Sequence, residues 1–172
     1  MVIRGLLVLL LFSTGLASQA PLKLEGRREL FVDDWLVEGL RGARFELGSV
    51  RDEGPVFRFD QPWEGPFSGY ATVIRDDGRY LLYYRGLPRA GADGTALERT
   101  CVAVSSDGRV WERPELDHYK VEGATSNNVV LADAAPVTHN FSPFLDTRPG
   151  VPAAQRFKAL GGNEHSGLVA LC

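Results

Sequence analysis

The sequence predicts an all-β protein of the β-propeller type, and three observations predict it. Between Phe67 and Trp111 the chain makes short β-branched or aromatic runs, each closed by its own turn. Beyond the first twenty or so residues no stretch shows the 3.6-residue period of an amphipathic helix. A second set of similar runs follows between Asn140 and Leu171. Four short antiparallel strands in sequence make one meander, and a four-stranded meander is one propeller blade.

The elements follow in order. Arg4 precedes an apolar run from Gly5 to Phe12, and small residues extend to Ala20. This is the layout of a secretory signal peptide, read here as residues 1–17, with cleavage after Ala17 or Ala20. The run is too short to cross a bilayer as a helix. Export places the mature chain in a secreted or periplasmic setting, with no membrane association once the signal is removed. The mature domain is read as residues 27–172.

Glu29 to Glu38 surrounds the double carboxylate Asp33-Asp34 with apolar residues and reads as a strand or tight loop. Ala43 to Val50 alternates, with Phe45 and Leu47 on one face, and reads as an edge strand. Gln61-Pro62-Trp63-Glu64-Gly65-Pro66 is a rigid aromatic loop. Tyr70 to Ile74 is the first strand of a blade, and Asp76-Asp77-Gly78 is its turn. A type I′ turn needs positive φ at both central residues, which Asp-Gly supplies. Arg79 to Gly86 is the second strand. A polar, Gly-rich loop from Pro88 to Gly94 leads to the third, Arg99 to Ser105. Ser106-Asp107-Gly108 closes it, and Arg109 to Pro114 reads as the fourth strand. The blade thus spans about Gly69 to Pro114. Asp107 is a turn acceptor with Trp111 packed beneath it.

A partial second blade is expected from Asn140 to Leu171. Phe141 to Asp146, Arg156 to Gly162 and Gly167 to Leu171 are its strands, with Thr147 to Pro152 as a turn-rich linker. The chain stops where the next Ser-x-Asp-Gly turn is due. The expectation is therefore the first blades of a longer, truncated propeller, with an open edge after the final strand.

Composition bounds the partners. The net charge of −3 offers no basic field for nucleic acid or an anionic membrane surface. Two cysteines, Cys101 and Cys172, form neither a Cys-x-x-Cys pair nor a cluster with His118, His139 or His165, so no metal and no cofactor is expected.

Phe67-Ser68-Gly69-Tyr70-Ala71 resembles the Phe-Ser-Gly-Ser strand of glycoside hydrolase family 32. Ser105-Ser106-Asp107-Gly108-Arg109-Val110-Trp111 is similar to the Ser-x-Asp-Gly-x-x-Trp turn of families 32, 43 and 68. In order and spacing the chain resembles these five-bladed propellers, the invertase, levansucrase and arabinanase group, from about Leu30 onward. The resemblance implies carbohydrate as partner and hydrolysis of glycosidic bonds as the activity of the full-length parent. Such chemistry needs two carboxylates flanking the bond, one ionised and one protonated. It implies Asp33 or Asp34 as the first-blade carboxylate, where invertases carry Asp-Pro-Asn-Gly. Phe141-Ser142-Pro143 stands where the group has Arg-Asp-Pro, and Asp146, three residues on, is the substitute for its Asp. The general acid Glu falls in blades beyond this sequence.

Substrate-binding candidates are Arg85, at the end of an inner strand, and His139 and Asn140, just before another. Trp63 joins them, as a flat face for a pyranose ring. Each has a structural alternative: a salt bridge for Arg85, loop ordering for His139 and Asn140, and burial between blades for Trp63. A non-catalytic carbohydrate-binding or structural propeller is the second functional reading.

Overall fold

A computed structural model describes residues 21–172. The expected signal peptide, residues 1–17, lies outside the described residues. The chain divides into two units, Met1–Val50 and Arg51–Cys172. In the first, residues 21–50 form turns and bends, without helix or strand. The edge strand expected from Ala43 to Val50 is absent there; no neighbouring strand receives its backbone, and Leu47 and Val50 are exposed. Asp33 Oδ1 accepts the Trp35 N–H at 3.0 Å, which makes the double carboxylate a tight turn.

The second unit is all-β. Its first sheet runs in the order β1 (Gly69–Asp76), β2 (Arg79–Gly86), β3 (Arg99–Ser105), β4 (Val129–Leu131). Its second sheet runs β5 (Ser142–Leu145), β6 (Phe157–Asn163), β7 (Gly167–Leu171). Every pairing is antiparallel, and neither sheet closes on itself. A single 3-10 turn, Ala153–Gln155, precedes β6. The β1–β2 turn has Asp77 at φ 45° and Gly78 at φ 80°, the positive pair that a type I′ hairpin requires.

The fourth strand corrects the sequence reading. Arg109 to Pro114 gives only one bridge, Val104 to Glu112, and β4 pairs with β3 instead. The reason lies in the turn. Asp107 Oδ1 accepts the N–H groups of Arg109 and Val110 at 2.8 and 2.9 Å, and Trp111 Nε1 donates back to the Gly108 carbonyl at 3.1 Å. Those bonds hold the chain in a coiled turn past the point where a ladder would start. The first sheet therefore extends to Leu131.

Both faces of the first sheet are covered, which is why Tyr80 to Tyr84 reads as a continuous apolar run. On one face Leu82, Tyr84, Cys101, Ala103 and Val129 pack with Trp63. Phe57 and Phe59, from the segment before β1, pack their rings on Tyr84. On the other face Ile74, Leu81 and Val102 pack with Leu145 at the end of β5. β5 lies beside β1, and Arg156 Nη2 donates to Asp76 Oδ1 at 2.9 Å, so the two sheets meet through first strands and a charged clasp. β7 pairs only with β6, and its five residues are exposed.

A buried polar network fixes the loop that feeds β1. Glu64 is fully buried. It accepts from the Tyr84 hydroxyl and from Arg113, whose Nε lies at 2.8 Å. Asn128 Nδ2 donates to the Tyr84 oxygen at 2.7 Å, and Trp63 Nε1 donates to Asn128 Oδ1 at 2.9 Å. Burial holds the Tyr84 phenol protonated far above its ordinary range, so it serves as a donor. Each member has its partner, the condition under which a buried network specifies a single packing.

Candidate functional site

Four segments meet at one end of the second unit: the start of β1, the β2–β3 loop, the residues before β5, and the end of β6. The start of β1 is irregular. Its register with β2 shifts between Gly69 and Thr72, and Tyr70 stands at φ 48°. A bulge of this kind re-aims a side chain, and positive φ at a bulky residue costs about 1–3 kcal/mol. Here it turns the Tyr70 ring outward, 59 % exposed. The Arg85 guanidinium lies over that ring, 4.3 Å from its centre. Asn140 repeats the device before β5, at φ 52°.

Arg85 ends β2 opposite Gly69 on one side and Thr100 on the other. Its Nη2 donates to the Phe67 carbonyl at 3.0 Å, and its Nη1 donates to Asp93 Oδ1 at 2.7 Å. Behind it stands Glu98, fully buried, with Oε1 3.6 Å from the same Nη1. Glu98 Oε2 accepts the Gly94 N–H at 2.6 Å and lies 3.0 Å from His139 Nδ1. With Nδ1 turned to Glu98, the opposite ring nitrogen is left for other partners, so Glu98 orients His139. Gly94 makes the close approach possible. At φ 68° it lies so near the second sheet that an added Cβ would come 3.0 Å from Asn163 Nδ2.

The buried side-chain polar atoms without a partner, among the described residues, are Arg85 Nε, Thr100 Oγ1 and Thr138 Oγ1. Thr100 is the cross-strand partner of Arg85, and Thr138 precedes His139. Unpaired buried polar atoms are uncommon, and here all three belong to this cluster or adjoin it. The arrangement can stack an apolar ring face on Tyr70 and hydrogen-bond hydroxyl groups through Arg85, Asp93 and His139.

Of the residues singled out from sequence, Arg85 and His139 are brought together, with Glu98 between them. Asn140 is beside them and exposed; its carbonyl accepts the Ser142 hydroxyl at 3.0 Å. Trp63 is elsewhere. It is a core residue, 8 % exposed and tied to Asn128, so its faces are used in packing rather than presented to a sugar. One edge of it borders a cleft of about 330 Å³ with Pro88, Arg89 and Leu97.

Asp146 follows the far end of β5 from His139. It is buried and fully engaged: Arg148 Nη2 donates to it at 2.7 Å and Lys158 Nζ at 2.6 Å. Arg148 first, then Lys158, holds its carboxyl well below the usual range. Asp33 and Asp34 belong to the first unit.

Tyr70, Asp93 and Glu98 were not singled out as site residues. Asp93 carried a signal, a carboxylate between Gly91 and Gly94 in a polar loop. Glu98 carried none; its role depends on the approach of the second sheet.

Compared with protein-family models, with curated proteins and with solved structures, the chain matches none. What defines it is its own architecture: an all-β unit of two open antiparallel sheets with a polar cluster at one shared end.

Proposed function

We propose that this chain is a secreted glycoside-hydrolase-like β-propeller whose site end contacts carbohydrate. The observation that carries the reading is the Tyr70–Arg85 stack at the start of β1, backed by Glu98 and His139. An exposed aromatic face beside fixed donors and acceptors suits a sugar, which has an apolar CH face and a rim of hydroxyls. The first strands β1 and β5 lie side by side and both begin at this end, as adjacent blades around an axis would.

One observation favours the non-catalytic form of this reading. Glycoside hydrolysis needs two carboxylates free to flank the bond. In the second unit Glu98 is buried and bonded, and Asp146 is held by two cations at the other end of β5. Binding, with hydrolysis left to carboxylates outside this cluster, is the reading we adopt for residues 51–172.

The test uses the purified full chain against fructan, arabinan and aryl glycosides, with binding and turnover measured separately. Binding that is lost in Tyr70→Ala supports the reading. No binding to any carbohydrate, or binding indifferent to Tyr70→Ala and Arg85→Gln, overturns it.

A further inference from the structure

We infer that the ligand of this cluster is a carboxylate-bearing sugar, and that Asp93 occupies the place of its carboxylate when no ligand is bound. The inference rests on the carbohydrate reading of the site and narrows it to one class.

The argument begins with the Arg85 guanidinium. A planar guanidinium is built to hold a carboxylate with two parallel bonds. Arg85 Nη2 is committed to the Phe67 carbonyl, and its plane is fixed by the Tyr70 ring. Its Nη1 donates to Asp93 Oδ1 at 2.7 Å, with Glu98 Oε1 behind at 3.6 Å. Its Nε is buried and has no partner. The guanidinium is thus preorganised, and Nη1 carries the bond that a ligand carboxylate would take over.

Asp93 is suited to leaving. Its side chain is 48 % exposed, whereas that of Arg85 is 13 % exposed. It stands between Gly91 and Gly94, both at φ 68°, in the loop that joins β2 to β3. Water competes for the half-exposed Asp93 carboxylate, which weakens its hold on Arg85. A ligand carboxylate that displaces it loses little of the protein's own stability.

The bond on Nη1 supports an acid rather than a neutral sugar. Around Arg85 stand two carboxylates, Asp93 and Glu98, with His139 beyond. Glu98 is fixed by the Gly94 N–H and His139. Replacing the Asp93 carboxylate on Nη1 by a neutral hydroxyl exchanges a charge-assisted bond for a weaker neutral one. Replacing it with a ligand carboxylate leaves the charge of the cluster unchanged. The same sugar ring then lies beside Tyr70, whose exposed face stacks on it.

The experiment is calorimetric titration of the full chain with a tri-uronate oligosaccharide, with its methyl ester, and with sodium acetate. A charge-assisted bond is worth roughly tenfold or more in affinity. The acid is expected to bind on the order of tenfold tighter than the ester. Arg85→Gln removes that difference. Asp93→Asn, which weakens the resident partner of Nη1, tightens binding of the acid severalfold and widens its margin over the ester. Ester binding as tight as acid binding overturns this inference while leaving the carbohydrate reading intact. Acetate binding as tight as the acid overturns it by removing the sugar. An Asp93→Asn chain that binds the acid less well overturns the role of Asp93. Binding of none of the three probes overturns the inference, and with loss of neutral-glycan binding the broader reading falls too.

Discussion

Glu98 Oε2 and His139 Nδ1 lie 3.0 Å apart, and this contact ties the loop entering β3 to the loop entering β5. Glu98 has no exposure to water, so its polar partners are His139, Arg85 and the Gly94 N–H. The site and the junction between the two sheets are therefore the same structure. A change that loosens one loosens the other.

Glu98→Ala tests that coupling. It removes an acceptor from the Gly94 N–H and from His139 at a buried position. Leaving buried donors unpaired costs about 1–3 kcal/mol. The expected result in urea denaturation is a loss of that size, together with loss of ligand binding. Glu98→Gln keeps the shape and one acceptor, and the expected loss is smaller. Equal, unperturbed stability in both variants would show that the contact does not hold the sheets.

Gly161 marks the second place where the loop before β5 and β6 touch. A Cβ there would run into the Val137 carbonyl oxygen, which is backbone and cannot rotate away. The adjacent Gly162 N–H donates to the His139 carbonyl at 2.8 Å, so a forced shift reaches the site. Gly161→Ala is expected to cost about 3 kcal/mol, the upper part of the usual range for overpacking. Gly69 has nothing within 4 Å of its virtual Cβ, and Gly69→Ala is expected to stay within about 0.5 kcal/mol of the parent. Thermal unfolding of the two variants side by side measures the contrast. Equal losses would place the close approach in doubt.

The hairpin turns were legible because their chemistry is local. Asp77-Gly78 needs only its own φ angles, and Ser105 to Trp111 bonds within seven consecutive residues. The β5 to β7 runs were legible for the same reason, through their alternation and glycine turns. β4 was not, because Asn127 and Asn128 place it through distant partners. Asn128 Nδ2 donates to the Val102 carbonyl at 2.6 Å and to Tyr84, 26 and 44 residues away. Arg85 and His139 were legible as polar residues at strand ends. Glu98 was not, since Thr95-Ala96-Leu97-Glu98 has no pattern that foretells a buried carboxylate. Trp63 stayed open between stacking and burial because a Pro-rich aromatic loop looks the same whether its ring faces solvent or core.

The two thiols should separate cleanly. Cys101 is fully buried in β3 and Cys172 is exposed, and both are free. Burial first, then the Glu64 charge, pushes the Cys101 thiol up to about 12. A raised thiol pKa gives stability that is complete below the ordinary value, about 8.5, and is lost as pH rises from there toward the folded value. At pH 8 a disulfide reagent is expected to label Cys172 at once and Cys101 only as the chain unfolds. Two equivalents reacting at one fast rate in the folded protein would contradict the placement of β3.

Asp146 separates a structural carboxylate from a chemical one. It accepts from Arg148 and Lys158, and those partners depress its pKa. A depressed carboxylate gives stability that is complete above its unfolded value, about 3.9. That stability is lost as pH falls from there through the folded value. The contribution of Asp146 should therefore be constant from neutral pH down to about pH 5 and weaken below it. Asp146→Asn removes the charge but not the shape, and the two cations then face an amide. The expected result is a lower unfolding midpoint at pH 7, a difference that shrinks toward pH 3, and unchanged carbohydrate affinity. A variant as stable as its parent yet unable to bind or turn over sugar would return Asp146 to the chemistry and refute the structural assignment.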